Sequence, residues 1–171
     1  RLVGRDAFNG VILWKRDISQ WVDHTRHFRS GPVHLPRRLV AVGESVYVTL
    51  GLDKPVVKLD AATGRTLKTY AATERTEEII VRDKTLYLMV GNSEISAEGA
   101  GFKRRGEPVP VERRYVLALD SGSGKTLWKF DTPTNEFFMP LTLAVHGKYA
   151  FVHSTGGLIC LNVANGKQIW K

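Results

Sequence analysis

Cysteine is all but missing from this 171-residue sequence, where Cys160 stands alone. An intrachain disulfide is therefore excluded, and neither a Cys-x-x-Cys metal knuckle nor a dithiol redox pair can be assembled. Long apolar runs are missing too. No stretch approaches the roughly 18 uninterrupted apolar residues of a membrane-spanning helix, and Arg1 to Asp6 open in mid-pattern with no apolar core of a signal peptide. The expectation is a soluble piece of something larger. Acidic excess is the third absence: 25 Lys and Arg face 17 Asp and Glu, a formal charge of +8. That balance favours phosphate, anionic surfaces or acidic partners without choosing among them. With 43% hydrophobic residues the chain can bury a core and is not of the disordered class.

What is there is a repeat. One tract recurs four times, as Asp6-Ala-Phe-Asn-Gly10-Val-Ile-Leu-Trp14, Asp60-Ala-Ala-Thr-Gly64-Arg-Thr-Leu-Lys68, Asp120-Ser-Gly-Ser-Gly124-Lys-Thr-Leu-Trp128 and Asn162-Val-Ala-Asn-Gly166-Lys-Gln-Ile-Trp170. Each reads as a hairpin turn: the Asp or Asn side chain bonds amides just ahead of it, and the Gly supplies a left-handed residue. The flanks are then strands. Val56 to Asp60, Tyr115 to Asp120 and Leu158 to Asn162 are short apolar runs suited to strands covered on both faces. Upstream of each lies a second hairpin, Leu39–Val42 with Val46–Leu50, Ile79–Arg82 with Leu86–Val90, and Leu141–Val145 with Tyr149–His153.

Four strands per unit and Gly spacings of 54, 60 and 42 are the arithmetic of propeller blades. The predicted fold is all-β, a β-propeller of four-stranded antiparallel blades. It has about three complete blades plus the last hairpin of a preceding one, within a larger propeller whose remaining blades are missing from this chain. The expected division is 1–15 for the end of a preceding blade, 16–38 for a basic inter-blade insertion and 39–71 for a blade. A blade with an insertion at 91–114 follows over 77–132, and the last covers 140–171.

The tract Ala118-Leu-Asp120 to Trp128 resembles the repeat of the quinoprotein-like (PQQ-type) β-propeller family. That class includes quinoprotein alcohol dehydrogenases and bacterial outer-membrane-assembly lipoproteins. The resemblance implies that Trp14, Trp128 and Trp170 dock against neighbouring blades, a pattern from which Lys68 departs. It also implies a bacterial periplasmic or cell-exterior location. The dehydrogenases of the class set a vicinal disulfide and a calcium site at their quinone; one Cys and no recognisable ligand cluster match neither. No cofactor is therefore expected in this segment. PQQ with calcium enters only under the alternative that the chain is part of a PQQ-dependent dehydrogenase whose cofactor site lies elsewhere.

Other chemistry yields to plainer readings. Ser121 to Thr126 suggests a phosphate loop, but Leu119 occupies the position of its first Gly. His24, His27 and His34 lack a Cys or carboxylate to complete a metal site, and His146 and His153 read as structural. No nucleophile elbow exists, so no catalytic residue is assigned. Trp21, Phe28, Phe102, Phe137 and Phe138 lie in or near connections, where anchoring loops is their simplest role. Nucleic acid is disfavoured because no binding module is recognised.

Charge placement is more informative. Residues 23–38 carry Arg26, Arg29, Arg37 and Arg38 against Asp23, and residues 101–114 carry Lys103, Arg104, Arg105, Arg113 and Arg114 against Glu107 and Glu112. Because antiparallel strands put successive connections at alternating ends, both insertions are expected at the end opposite the Asp-x-x-x-Gly turns, together with Pro108-Val-Pro110. The function expected is a non-catalytic binding or scaffolding segment, with these nine cations receiving a protein, glycan or other polyanion.

Overall fold

The computed structural model describes residues 1–18, 37–51, 53–91 and 113–171. Among these there are strands and turns but no helix. The strands are β1 (Leu2–Arg5), β2 (Ile12–Arg16), β3 (Leu39–Val42), β4 (Ser45–Thr49), β5 (Val56–Asp60), β6 (Thr66–Thr69), β7 (Thr76–Arg82), β8 (Thr85–Gly91), β9 (Arg114–Asp120), β10 (Thr126–Asp131), β11 (Ala144–His146), β12 (Tyr149–Ser154), β13 (Gly157–Asn162) and β14 (Gln168–Trp170). They form one two-stranded sheet, β1-β2, and three four-stranded meanders, β3 to β6, β7 to β10 and β11 to β14. All ladders between them are antiparallel. We call the sheets the first hairpin and the second, third and last blades.

Each repeat tract closes the final hairpin of its sheet by the turn chemistry its residues dictate. Asp60 Oδ1 accepts from the Thr63 amide at 2.8 Å and from its hydroxyl at 2.7 Å, while the Gly64 amide donates to the Asp60 carbonyl at 2.9 Å. Asp120 binds Ser123 in the same way, and Asn162 takes the Ala164 amide. Gly10, Gly64, Gly124 and Gly166 all have φ between 67° and 76°, the left-handed region that costs other residues energy. The first strand pair after each turn contains a bulge. Leu13, Leu67, Leu127 and Ile169 are skipped in the four registers and are exposed. A bulge of this kind re-aims the following side chain, which is residue 14, 68, 128 or 170.

The core lies between sheets rather than within one. The third blade packs on the last through Tyr87, Met89, Val116, Ala118 and Trp128 against Phe138, Leu143, Ala150, Val152, Ile159 and Leu161. The second and third share Tyr47, Tyr70, Ile79, Leu86, Leu88, Leu117 and Leu119. A smaller cluster of Val46, Val48, Val57 and Leu59 receives Leu2 and Trp14 from the first hairpin. β5 and β9 are covered on both faces, as their short apolar runs predict, whereas β13 leaves Leu158 exposed on one face.

Two strand starts differ from the sequence reading. β7 begins at Thr76 rather than Ile79, because Thr76 and Glu78 pair with Val90 and Met89 on either side of a bulge at Glu77, all three wholly or nearly buried. β11 begins at Ala144 rather than Leu141: Leu141 has a left-handed φ of 62°, and the Thr142 and Leu143 amides turn to Glu78 instead of a strand partner.

Candidate functional site at the insertion-bearing end

Strand direction fixes what lies at each end of the blades. β2 and β8 both run away from the turn-bearing end, whereas β3 and β9 return to it; residues 17–38 and 92–113 therefore leave and rejoin the sheets at the opposite end. The returning points are held by consecutive acids of one strand. Glu77 reaches across β8 to Arg114, whose Nε and Nη2 donate to its two oxygens at 2.8 and 3.2 Å. Gly91, the β8 residue paired with Arg114, has no side chain to fill that path; a Cβ there would already touch Glu77 Oε1 at 3.5 Å. Both charged side chains are nearly buried, so a two-bonded geometry is what the site requires.

Glu78 points the other way and is fully buried. It accepts the Arg37 guanidinium, the Thr142 amide at 3.1 Å and the Leu143 amide at 3.3 Å. Arg37 also donates to the Leu143 carbonyl at 3.0 Å, and its own carbonyl accepts the Ile79 amide at 2.9 Å. One carboxylate thus joins the segments leading into β3, β7 and β11, the first strands of three successive blades. The left-handed Leu141 aims two consecutive amides at it, a nest that suits an anion.

The nine predicted cations divide accordingly. Arg26, Arg29, Lys103, Arg104 and Arg105 lie outside the described residues, as do His24, His27, His34, Trp21, Phe28 and Phe102. Arg37 and Arg114 are committed to Glu78 and Glu77, which makes them blade clamps. Arg38 is half-buried and Arg113 exposed. Arg113 and Arg114 border a cleft of about 230 Å³ with Tyr115, Lys129, Asp131 and Thr132. Lys129 Nζ lies 4.3 Å from the Tyr115 ring centre and 2.6 Å from Asp131, and burial holds the Tyr115 hydroxyl above its ordinary range. Phe138 is buried against Phe130, with ring centres 6.1 Å apart, an anchoring role.

At the turn-bearing end the repeat residues do one job. Trp14 lies over Gly64 of the next blade and donates Nε1–H to the Ala61 carbonyl at 2.8 Å; Trp128 lies over Gly166 and donates to the Val163 carbonyl at 2.6 Å. Where Lys68 replaces Trp, its aliphatic stem covers Gly124, and Tyr70 supplies the missing bond by donating its hydroxyl to the Ser121 carbonyl at 2.6 Å. The acceptor is in each case the residue after the Asp or Asn. Burial is the main reason the Tyr70 hydroxyl is held well above its ordinary range. Hydrogen bonds from Thr63 and from Ser123 hold Asp60 and Asp120 below theirs. Trp170 has no such partner among the described residues and is half-exposed.

Among the described residues no donor set fits a quinone–calcium site. Glu78, the buried carboxylate at the first strands, already accepts a guanidinium and two amides, and no group of three or more His, Cys, Asp or Glu that could hold a metal occurs among the described residues. Cys160 is buried.

Four-stranded meanders packed face to face, each locked to its neighbour by a side chain laid over the Gly of the repeat turn, Trp at two junctions and Lys68 with Tyr70 at the third, define the chain as β-propeller blades. Residues 112–171 match the family model described as outer membrane protein assembly factor BamB. No curated protein sequence matches the chain significantly. Among solved structures it resembles the quinohemoprotein alcohol dehydrogenase ADHIIG of Pseudomonas putida HK5 (16% identity, TM-score 0.60, covering 98% of this chain and 30% of that one). It also resembles BamB of Moraxella catarrhalis (15% identity, TM-score 0.54, 98% and 44%). The computationally designed Ika4 protein is a third likeness (12% identity, TM-score 0.55, 83% and 74%). The chain has the fold of the PQQ-type propellers, with the family match itself confined to residues 112–171, and it spans less than half the length of the two natural relatives.

Proposed function

We propose that this chain is a non-catalytic binding or scaffolding segment of a PQQ-like propeller, and that its insertion-bearing end receives an acidic protein, glycan or other polyanion. One observation carries the reading. Glu77 and Glu78, adjacent in β7, hold the base of one basic insertion through Arg114 and the base of the other through Arg37. Both insertions, which together with their bases hold most of the excess charge, are thus rooted at two separate ion pairs on neighbouring residues of one strand. Excess charge gathered at one end raises the local concentration of an anionic partner. The cations assigned to contact are Arg26, Arg29, Lys103, Arg104 and Arg105, with Arg38 and Arg113 at the rim; Arg37 and Arg114 position the insertions. The description of the matched family as an assembly factor favours a protein partner, and a periplasmic or cell-exterior setting goes with that choice.

The test is capture on immobilised heparin and polyglutamate across a salt series. Replacing Arg26, Arg29, Lys103, Arg104 and Arg105 by Ser should leave the melting transition in place and flatten the salt dependence. Unchanged elution would move the function to the central channel or to other blades. The second reading, part of a PQQ-dependent dehydrogenase with its cofactor site in other blades, is favoured by the TM-score of 0.60 to the Pseudomonas enzyme. Dye reduction by the protein supplied with PQQ and calcium would establish it in place of the scaffold.

A further inference from the structure

The outer hairpin of every sheet sets one side chain opposite another at the same two positions, and the second blade breaks the pattern at both. Trp14 faces Gly4, Trp128 faces Ala118 and Trp170 faces Cys160, an indole opposite a small residue each time. In the second blade Lys68 faces Lys58. The row continues inward through Tyr47 to Val40, where the third blade has Tyr87 and Ile80 beside its Ala118 and Trp128. Lys68 lies over Gly124 and Tyr47 packs with Leu117 and Leu119, so this row belongs to the junction between the second and third blades. Both sheets of that junction are complete, and the row is distinct from the cations of the two insertions.

Like charges on directly paired residues repel, and here nothing offsets the repulsion. Lys58 and Lys68 are both half-buried, yet among the described residues neither makes a hydrogen bond or an ion pair. Their ammonium groups stand over aromatic rings instead, Lys58 Nζ 5.9 Å from the centre of Tyr47 and Lys68 Nζ 6.0 Å from that of Tyr70, and the two ring centres are 6.4 Å apart. Contacts of that length are weak. The acids of the adjoining turns are engaged within those turns, Asp60 accepting from Thr63 and Asp120 from Ser123. The third blade brings Leu117 and Leu119 into the junction rather than a carboxylate. Two unpaired cations thus share a partly desolvated site, where the attraction for an anion is stronger than at an open surface.

We propose that Lys58 and Lys68 together hold a phosphate group at the junction of the second and third blades. Two cations call for a dianion, and a phosphate group carries a charge of about −1.5 to −2 near neutral pH; a carboxylate would balance only one of them. Lysine serves phosphate as a point charge whose three N–H donors turn to meet the oxygens. The bound group would cancel the repulsion between β5 and β6 and sit beside the repeat turn that Lys68 overlies, where the other junctions place an indole. The free ion and a phosphate monoester borne by a larger molecule offer the same chemistry.

The test is thermal unfolding and calorimetric titration of the 171-residue chain with inorganic phosphate, against sodium chloride and sodium acetate of equal ionic strength. Phosphate should raise the melting temperature where the other two salts do not. Lys58→Met and Lys68→Met keep the aliphatic stem and should each weaken phosphate binding by about tenfold or more. In chloride both variants should melt no earlier than the native chain, because the repulsion is gone. Either variant suffices if the other misfolds. Replacing Arg26, Arg29, Lys103, Arg104 and Arg105 by Ser should leave phosphate binding in place, which separates this site from the polyanion reading. Glycerol 3-phosphate run beside inorganic phosphate distinguishes the two sources, and a lysine-dependent response to either supports the site. A native chain that gains no more from either phosphate than from chloride or acetate, lysine variants that bind as the native chain does, or loss of binding through the insertion cations alone overturns the proposal.

Discussion

Replacing Glu78 by Gln changes one atom in a site that has no slack. The carboxylate accepts from the Arg37 guanidinium and from the Thr142 and Leu143 amides, and it is fully shielded from water. Gln keeps a single acceptor oxygen and turns an NH₂ group toward donors, so at least one buried amide loses its partner, at about 1–3 kcal/mol. The pairing with Arg37 adds at most about 1 kcal/mol, since that side chain is 51% exposed. The expected loss is about 2–3 kcal/mol, which lowers the melting temperature by roughly 4–12 °C in a domain of this size. Urea midpoints for the native protein, Glu78→Gln, Arg37→Gln and the double variant would measure it. Arg37→Gln alone should cost about 1 kcal/mol, and the pair should couple by a similar amount. Hydrogen exchange should accelerate at Thr142 and Leu143 before it does in β8 or β9. A Glu78→Gln protein within about 0.5 kcal/mol of the native one would refute the view that this carboxylate fastens three blades together.

Three further outcomes follow from the junctions. Gly166→Ala should destabilise more than Gly10→Ala in thermal melts, because both incur the left-handed penalty of about 1 kcal/mol or more but only the first strikes an indole; equal losses would mean the Trp128 contact is slack. Lys68→Trp should fail to stabilise the protein by itself, since Lys58 stands opposite it where Gly4, Ala118 and Cys160 face the other tryptophans; adding Lys58→Ala should make the change favourable, as read by denaturant midpoint. Stability should fall as pH rises above 10: the folded Tyr70 hydroxyl ionises above its ordinary value, so its contribution is complete below that pH and is lost beyond it as the unfolded chain ionises first. Tyr70→Phe should lose about 1 kcal/mol at neutral pH and show a shallower alkaline decline in the same melts.

The blades were legible because their signals are local. An Asp or Asn, a Gly four residues on and short apolar flanks specify a hairpin with contacts only a few residues apart, and four copies repeat it. That Trp14 and Trp128 dock against a neighbouring blade was implied by the resemblance of the same tract, whereas their seats on Gly64 and Gly166 came from the structure. The clamps were not legible. Glu77-Glu78 reads as a polar step ahead of an apolar strand, and only a pair of acids at the start of a first strand hinted at burial. Arg37 and Arg114 look like the other arginines of their runs until their partners, 41 and 37 residues away, are in place. Tyr70 could have been suspected as an aromatic two residues beyond the lone Lys68, but its bond depends on where Ser121 ends up.

By itself, then, the amino-acid sequence determined the turn chemistry, the strand order and the propeller class, since each rests on backbone preferences and side-chain spacing that a short segment carries alone. Tertiary structure alone decided which charges are spent and which face outward. It buried Glu78 and joined it to donors from two other blades, and it let Lys68 and Tyr70 share the work of one Trp. Those outcomes turn on the cost of leaving a buried donor or charge unpaired, and that cost exists only once distant segments have come together and excluded water.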